Sequence, residues 1–157
     1  GVALISDNSS FVISGIELKN RSWSNTTGLI QGVTTITSSN EAKKDFNGFQ
    51  NTQSIAEYTH ASAAYECTVT QFKNGQMGYL ASVGEWMEII NNLDEINRCM
   101  SLIDGLDIDE GTTSYWTSTQ YNYEKAWLVT YNGNEFYPND ERKGVSFYAI
   151  RVISQLK

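Results

Sequence analysis

The chain has 157 residues with 18 acidic and 11 basic side chains, which gives a net charge of −7. This length favours one domain over residues 1–157, and the acidic balance argues against nucleic-acid binding, in which clustered Lys and Arg neutralise phosphates. No apolar run in the sequence approaches the roughly 18 residues of a membrane span, so membrane insertion is not expected.

The N-terminal part of the chain predicts two strands and a helix. Residues 2–5 and 11–18 carry strand-forming side chains on either side of a polar turn. A helical pattern then runs from residue 53 to about residue 69. Asn51 or Thr52 is expected to cap this helix, because either side chain can accept a hydrogen bond from an unpaired backbone N–H.

The two cysteines, Cys67 and Cys99, leave two alternatives open. A disulfide between them would stabilise the fold, and two free thiols are equally consistent with the sequence. Neither cysteine belongs to a Cys-x-x-Cys or Cys/His cluster, so a zinc site is not expected.

The clearest helix start in the chain is a capping box at Ser82 and Glu85. The Ser82 hydroxyl is expected to accept from the third N–H of the helix, while the Glu85 carboxylate returns to the backbone of Ser82. An amphipathic pattern follows from Val83 to Ile90, and Asn91-Asn92 predicts a break before a second helical stretch.

An acidic loop precedes the aromatic part of the chain, and its members are Asp104, Asp107, Asp109 and Glu110. Calcium requires oxygen ligands of this kind, but the spacing fits no EF-hand loop. A solvated acidic loop is therefore the simpler interpretation, and neither a metal site nor a cofactor is predicted.

Residues 115–137 form the aromatic stretch of the sequence. Tyr115-Trp116 opens it, and Trp127 lies in an alternating segment that predicts a strand. Asn132-Gly133 then favours a tight hairpin turn. Both tryptophans are predicted to be buried anchors, and a closing strand is expected over residues 145–153, where it can pair with the N-terminal strand.

Several short motifs in this order resemble one bacterial family. They are Asn47-Gly48, the run 78–82 with Glu85, the run 115–120, Ala126-Trp127 and the run 150–152. Together they are similar to the C-type-lectin-like surface domains that include the C-terminal domain of a collagen-like adhesin, and especially to the variable target proteins of diversity-generating retroelements. Ala81 stands where the family usually has proline, and Thr117 and Gln120 depart from its tryptophan motif.

The resemblance implies an α+β protein with a C-type lectin-like fold. Such a fold has a small twisted antiparallel sheet, two flanking helices and paired terminal strands. The calcium-coordinating sugar motif of true C-type lectins is absent from the sequence, so calcium-dependent sugar binding is not expected.

The resemblance also implies a display function for the C-terminal region, where tyrosine and asparagine side chains would form a recognition surface. The expected ligand-binding residues are Tyr121, Asn122, Tyr123, Tyr131, Asn132, Asn134, Phe136, Tyr137, Asn139 and Arg142.

Three functions compete on this basis. The first is a non-enzymatic recognition or adhesion module that binds a protein or glycan on another cell or surface. The second is a structural module of a surface fibre or fimbria. The third is an enzyme of the formylglycine-generating type, which the cysteine positions do not favour because both lie in predicted helices. The expected location is extracellular or at the cell surface, although no signal peptide is visible in the sequence.

Overall fold

A computed structural model describes residues 1–109, 111–132 and 134–157. The N-terminal elements are β1 (Val2–Ile5), β2 (Ser10–Arg21), α1 (Ser39–Ala42), α2 (Gly48–Tyr58), α3 (Ala63–Thr68) and β3 (Gly78–Leu80). The C-terminal elements are α4 (Val83–Asn91), α5 (Leu93–Leu102), β4 (Ser114–Gln120), β5 (Lys125–Tyr131), β6 (Phe136–Arg142) and β7 (Tyr148–Gln155). The expected α+β class is confirmed.

The strands form a mixed sheet in the order β1-β2-β7-β4-β5-β6, and β3 pairs with β7 beside this path. Neighbouring strands are antiparallel except β4 and β7, which meet in parallel at Tyr115 and Ala149. The closing strand β7 pairs with β2, the second of the two N-terminal strands, and β1 covers the outer edge of β2. Strands β1 and β6 therefore lie at the two ends of this path.

The central strands are buried on both faces. Tyr115 and Val129 belong to a core cluster that includes Trp86 of α4, whereas Trp116 and Leu128 belong to a second cluster with α2 and α3 residues. Because successive strand side chains point to opposite faces, this assignment places helices on each side of the sheet. The sheet is thus the middle layer of the structure, and the strand β4 has no solvated face.

The helix expected from residue 53 to residue 69 is divided in two. The break follows Tyr58, and Ser62 caps α3 by accepting a hydrogen bond of 3.1 Å from Tyr65 N. The prediction that Asn51 or Thr52 caps the first helix is wrong, because both residues lie buried inside α2. There the Thr52 hydroxyl donates to Gly48 O at 2.7 Å, and it accepts from Leu80 N at 2.9 Å.

The capping box at Ser82 and Glu85 is confirmed. Glu85 Oε2 accepts from Ser82 N at 2.8 Å, and Ser82 Oγ accepts from Glu85 N at 3.5 Å. The Ser82 hydroxyl also donates to Asp45 O at 2.6 Å, which ties the start of α4 to the turn before α2. The predicted break at Asn92 is also present, because α4 ends at Asn91 and α5 begins at Leu93.

Both cysteines are free thiols, which resolves the alternative left open by the sequence. Cys67 is buried in α3, and Cys99 is half-buried in α5. Among the described residues, none of the helices has the length and apolar character needed to cross a membrane.

Candidate functional site

The two tryptophans of the aromatic stretch are buried anchors, as predicted. Trp116 has no exposed surface and Trp127 retains 3%. Each indole N–H reaches a backbone carbonyl, with Trp116 donating to Arg21 O at 2.8 Å and Trp127 donating to Ile36 O at 2.7 Å. These bonds satisfy the polar atom of each ring, as burial of tryptophan requires.

The loop between β4 and β5 carries one exposed tyrosine and two residues that shape the loop. Asn122 Oδ1 accepts from Glu124 N at 2.9 Å and from Lys125 N at 2.8 Å, so this side chain closes the turn. The Tyr121 ring packs edge-on against Trp127 with 5.1 Å between centroids and is half-buried. Tyr123 is 56% exposed and is the member of this loop best placed to meet a partner.

The turn between β5 and β6 shows a similar division of roles. Asn132 Oδ1 accepts from the backbone N–H groups of Asn134 and Glu135 at 3.0 Å, which closes the chain reversal. The Gly133 half of the predicted Asn132-Gly133 turn lies outside the described residues. Asn134 is exposed, and the exposed fraction of Tyr137 is 38%.

Phe136 is a core residue, and its assignment to an exposed recognition surface is wrong. Only 7% of its surface is exposed. Its ring centroid lies 4.9 Å from the half-buried Tyr131 and 6.3 Å from the buried Tyr115. Burial of this ring against two others anchors the start of β6 to the sheet.

The expected ligand-binding residues do not form one continuous surface. Lys125 pairs with Arg142 at one end of the β5–β6 hairpin, and Tyr131 pairs with Phe136 at the other. These ends are about 20 Å apart, because each strand residue advances the chain by about 3.4 Å. Asn139 lies between them, half-buried and opposite Leu128.

The candidate residues consequently form two groups, which we name by their exposed tyrosines. The Tyr123 end contains Tyr121, Asn122, Tyr123 and Arg142, and the Tyr137 end contains Tyr131, Asn132, Asn134, Phe136 and Tyr137. The sequence could not separate the groups, because both combine tyrosine and asparagine and lie close together along the chain.

Leu29 and Tyr58 extend the Tyr123 end, and neither was expected from the sequence to bind a ligand. Tyr123 O accepts a hydrogen bond of 2.6 Å from Gly28 N, which holds the loop between β2 and α1 beside Tyr123. The next residue, Leu29, is 62% exposed and lines a cavity of about 390 Å³ together with Tyr58, which is 55% exposed. The signal in the sequence was the short apolar pair Leu29-Ile30 inside an otherwise polar segment.

A buried polar cluster of Lys143, Gln120 and the Gly28 carbonyl lies beneath the Tyr123 end. The Lys143 ammonium donates to Gln120 Oε1 at 2.6 Å and to Gly28 O at 2.8 Å. Burial lowers the pKa of Lys143 to about 8. The ammonium also lies 4.8 Å from the centroid of the Trp23 ring, within the range of a cation–π contact. This cluster fixes the loop that presents Leu29.

Within the described ranges, no group of three or more His, Cys, Asp or Glu side chains is arranged to hold a metal ion. The acidic loop considered for calcium includes Glu110, which lies outside those ranges.

No family model matches the sequence, and no curated protein matches it. Among solved structures, the fold is similar to a fimbrial protein from Bacteroides ovatus ATCC 8483, with a TM-score of 0.64 and 19% sequence identity. The match covers 94% of this chain and 36% of the fimbrial protein's chain. At this identity the comparison shows a shared fold, and this chain corresponds to only part of the longer protein.

Proposed function

We propose that the chain is a non-enzymatic structural module of a surface fibre or fimbria. One observation carries this proposal: the fold recurs, over 94% of this chain, within a longer fimbrial protein. A fold that occupies 36% of a longer chain is suited to be one unit of an extended subunit. The proposal places the protein outside the cell or at its surface.

The environment of Cys67 supports a non-enzymatic function. Cys67 is completely buried, and burial raises the pKa of its thiol well above the usual range. A catalytic cysteine needs the opposite, because the thiolate is the reactive form. This environment disfavours chemistry of the formylglycine-generating type at Cys67.

Fractionation of cells that carry the gene tests the fibre proposal. Filaments would be sheared from intact cells, pelleted, and probed with antibodies raised against the purified chain. The fibre function predicts that most of the signal enters the filament fraction, and the same antibodies absorbed with purified chain serve as the control. Signal confined to the cell lysate would contradict the proposal.

Recognition of a partner is a second candidate function, favoured by the exposure of Tyr123, Tyr58 and Leu29 on one part of the surface. Large apolar side chains mixed with polar neighbours are typical of binding surfaces. A C-type lectin-like fold with a diversified C-terminal region belongs to this second proposal. It is supported by the order of elements and by the sequence motifs around Trp116 and Trp127.

A screen of glycans and surface proteins, followed by substitutions at each hairpin end, tests recognition. Tyr123→Ala with Tyr58→Ala should abolish binding at the Tyr123 end, whereas Tyr137→Ala reports on the opposite end. Tyr121 is left unchanged because its ring packs on Trp127 and its loss would weaken the fold. Binding that survives both sets of substitutions would contradict recognition by this region.

A further inference from the structure

A cavity of about 490 Å³ lies between the α4–α5 junction and the Tyr137 end of the hairpin. Ile90 and Leu93 border it from the helices, and Phe136 borders it from the sheet. Both helix residues pack against the main core cluster, so their positions are fixed by that contact. The cavity therefore offers a preformed apolar wall suited to a short aliphatic chain.

The polar side of the same cavity is acidic. Asp94, Asp109 and Glu135 line it, and no Lys or Arg is present among the described lining residues. Glu95 also lines the cavity, but Arg98 already neutralises it through a hydrogen bond of 2.9 Å to its carboxylate. The negative potential at the opening therefore comes from Asp94 and Glu135, and the net charge of −7 on the whole chain reinforces it.

Two of these carboxylates are available to a ligand. Asp94 lies in the first turn of α5 and Glu135 lies just before β6, and both are exposed. Neither carboxylate takes part in a hydrogen bond or ion pair among the described residues. A positively charged group in the cavity could therefore contact both carboxylates without breaking an existing hydrogen bond or ion pair of either.

We propose that this cavity receives the side chain of a lysine or arginine from a partner protein. The aliphatic stem of such a side chain would pack on Leu93 and Phe136, while its charged head would meet Asp94 and Glu135 at the opening. Anionic ligands are disfavoured by repulsion from the carboxylates. A neutral glycan could contact the asparagine side chains and aromatic rings that line the cavity. It would gain no electrostatic attraction from Asp94 and Glu135.

This inference deepens the proposed fibre function, on which it rests, because subunits of a surface assembly meet other proteins. The test uses only the purified chain and a defined peptide. A peptide that does not bind would contradict the cavity proposal without affecting the fractionation result. A chain absent from the filament fraction would contradict the fibre proposal without affecting the peptide result.

The test is a titration of ¹⁵N-labelled protein with a short peptide that has blocked ends and a single lysine. The proposal predicts saturating shifts of backbone amide signals at Leu93, Asp94 and Phe136. The same peptide with N-acetyl-lysine keeps the stem and removes the charge, so it should bind at least about fivefold more weakly. An arginine peptide should bind the same cavity.

Two double variants distinguish binding in the cavity from general electrostatic attraction to an acidic protein. Asp94→Asn with Glu135→Gln should weaken lysine-peptide binding about fivefold or more, since it removes two carboxylates at the opening. Asp7→Asn with Glu57→Gln removes the same net charge at exposed positions that do not line the cavity, and it should leave binding unchanged. The ¹⁵N spectrum of each variant reports whether the fold is intact.

Three results would overturn the proposal. One is equal binding of the lysine and N-acetyl-lysine peptides. Another is equal weakening by both pairs of substitutions. The third is the absence of saturating shifts around the cavity with either charged peptide. A neutral oligosaccharide that produces the predicted shifts where the lysine peptide produces none would assign the cavity to a glycan instead.

Discussion

The ammonium group of Lys143 lies 2.6 Å from Oε1 of Gln120, and both side chains are completely buried. A buried cation is thus held by neutral oxygen atoms and by the Trp23 ring, and none of the described ion pairs includes it. Removing a charge from water is costly, which is why burial lowers the pKa of this lysine to about 8.

The Lys143 site predicts a rise in stability at alkaline pH. Between about pH 8 and the ordinary lysine value of 10.5, the unfolded chain binds a proton that the folded chain has released. Stability therefore rises with pH across this window, by about 1–2 kcal/mol from this group. Lys143→Met should remove that rise, as measured by urea denaturation of both proteins at pH 7.5 and pH 9.5. Equal pH dependence in the two proteins would contradict the assignment.

Glu85 predicts the opposite trend at lower pH. Burial, with a smaller contribution from the nearby Asp45, raises the pKa of this carboxyl to about 7, although hydrogen bonds from Ser82 and Tyr79 oppose the shift. The folded chain then binds a proton that the unfolded chain loses near pH 4.5, so stability falls as pH rises towards 7. The expected loss is about 3 kcal/mol.

Glu85→Gln provides the comparison, because glutamine keeps the shape of the side chain and cannot titrate. The difference in unfolding free energy between the natural protein and this variant should change steadily between pH 4.5 and pH 7. A difference that is constant over this range would show that Glu85 does not bind a proton in the folded state.

Loss of the Ser82 hydroxyl should destabilise the protein more than loss of an exposed cap. Ser82→Ala removes the bond to Asp45 O as well as the cap of α4, so a cost of about 2 kcal/mol is expected. Ser38 caps the exposed four-residue helix α1 by accepting a hydrogen bond of 3.4 Å from Glu41 N, and it serves as the matched control. Ser38→Ala should cost about 0.5 kcal/mol in the same denaturation assay.

Truncation of either anchor tryptophan should be severe. Trp116→Ala or Trp127→Ala should each cost about 3–5 kcal/mol, because the cavity left in the core cannot collapse fully. Tyr123→Ala removes an exposed ring and should cost about 0.5 kcal/mol or less. A loss below 1 kcal/mol for both tryptophan variants would contradict their role as anchors.

Local signals in the sequence predicted the parts of the fold that depend on neighbouring residues. The capping box at Ser82 needs only a serine and a glutamate three positions apart, and it was predicted correctly. Burial of Trp116 and Trp127 followed from alternation in the flanking strand. The break after Tyr58 could not be predicted in this way, since Ser62 is held by a bridge to the distant Ser24.

The candidate site was less predictable, because composition carries no information about spatial separation. Tyrosine and asparagine occur at both hairpin ends, and only the strand register shows that Tyr123 and Tyr137 are far apart. Phe136 was assigned to the surface because its burial depends on Tyr115, which lies on another strand. The burial of Lys143 could not be predicted from the sequence, because a single lysine in a polar turn is usually exposed.

Immunogold electron microscopy of cells that carry the gene tests most directly whether this chain belongs to a surface fibre. Antibodies raised against the purified chain would be applied to intact, unfixed cells, and the same antibodies absorbed with purified chain would set the background. A fibre module should place gold particles along filaments that extend from the cell surface. Label found only in sections of the cell interior, with filaments bare, would contradict the assignment of this chain to a surface fibre.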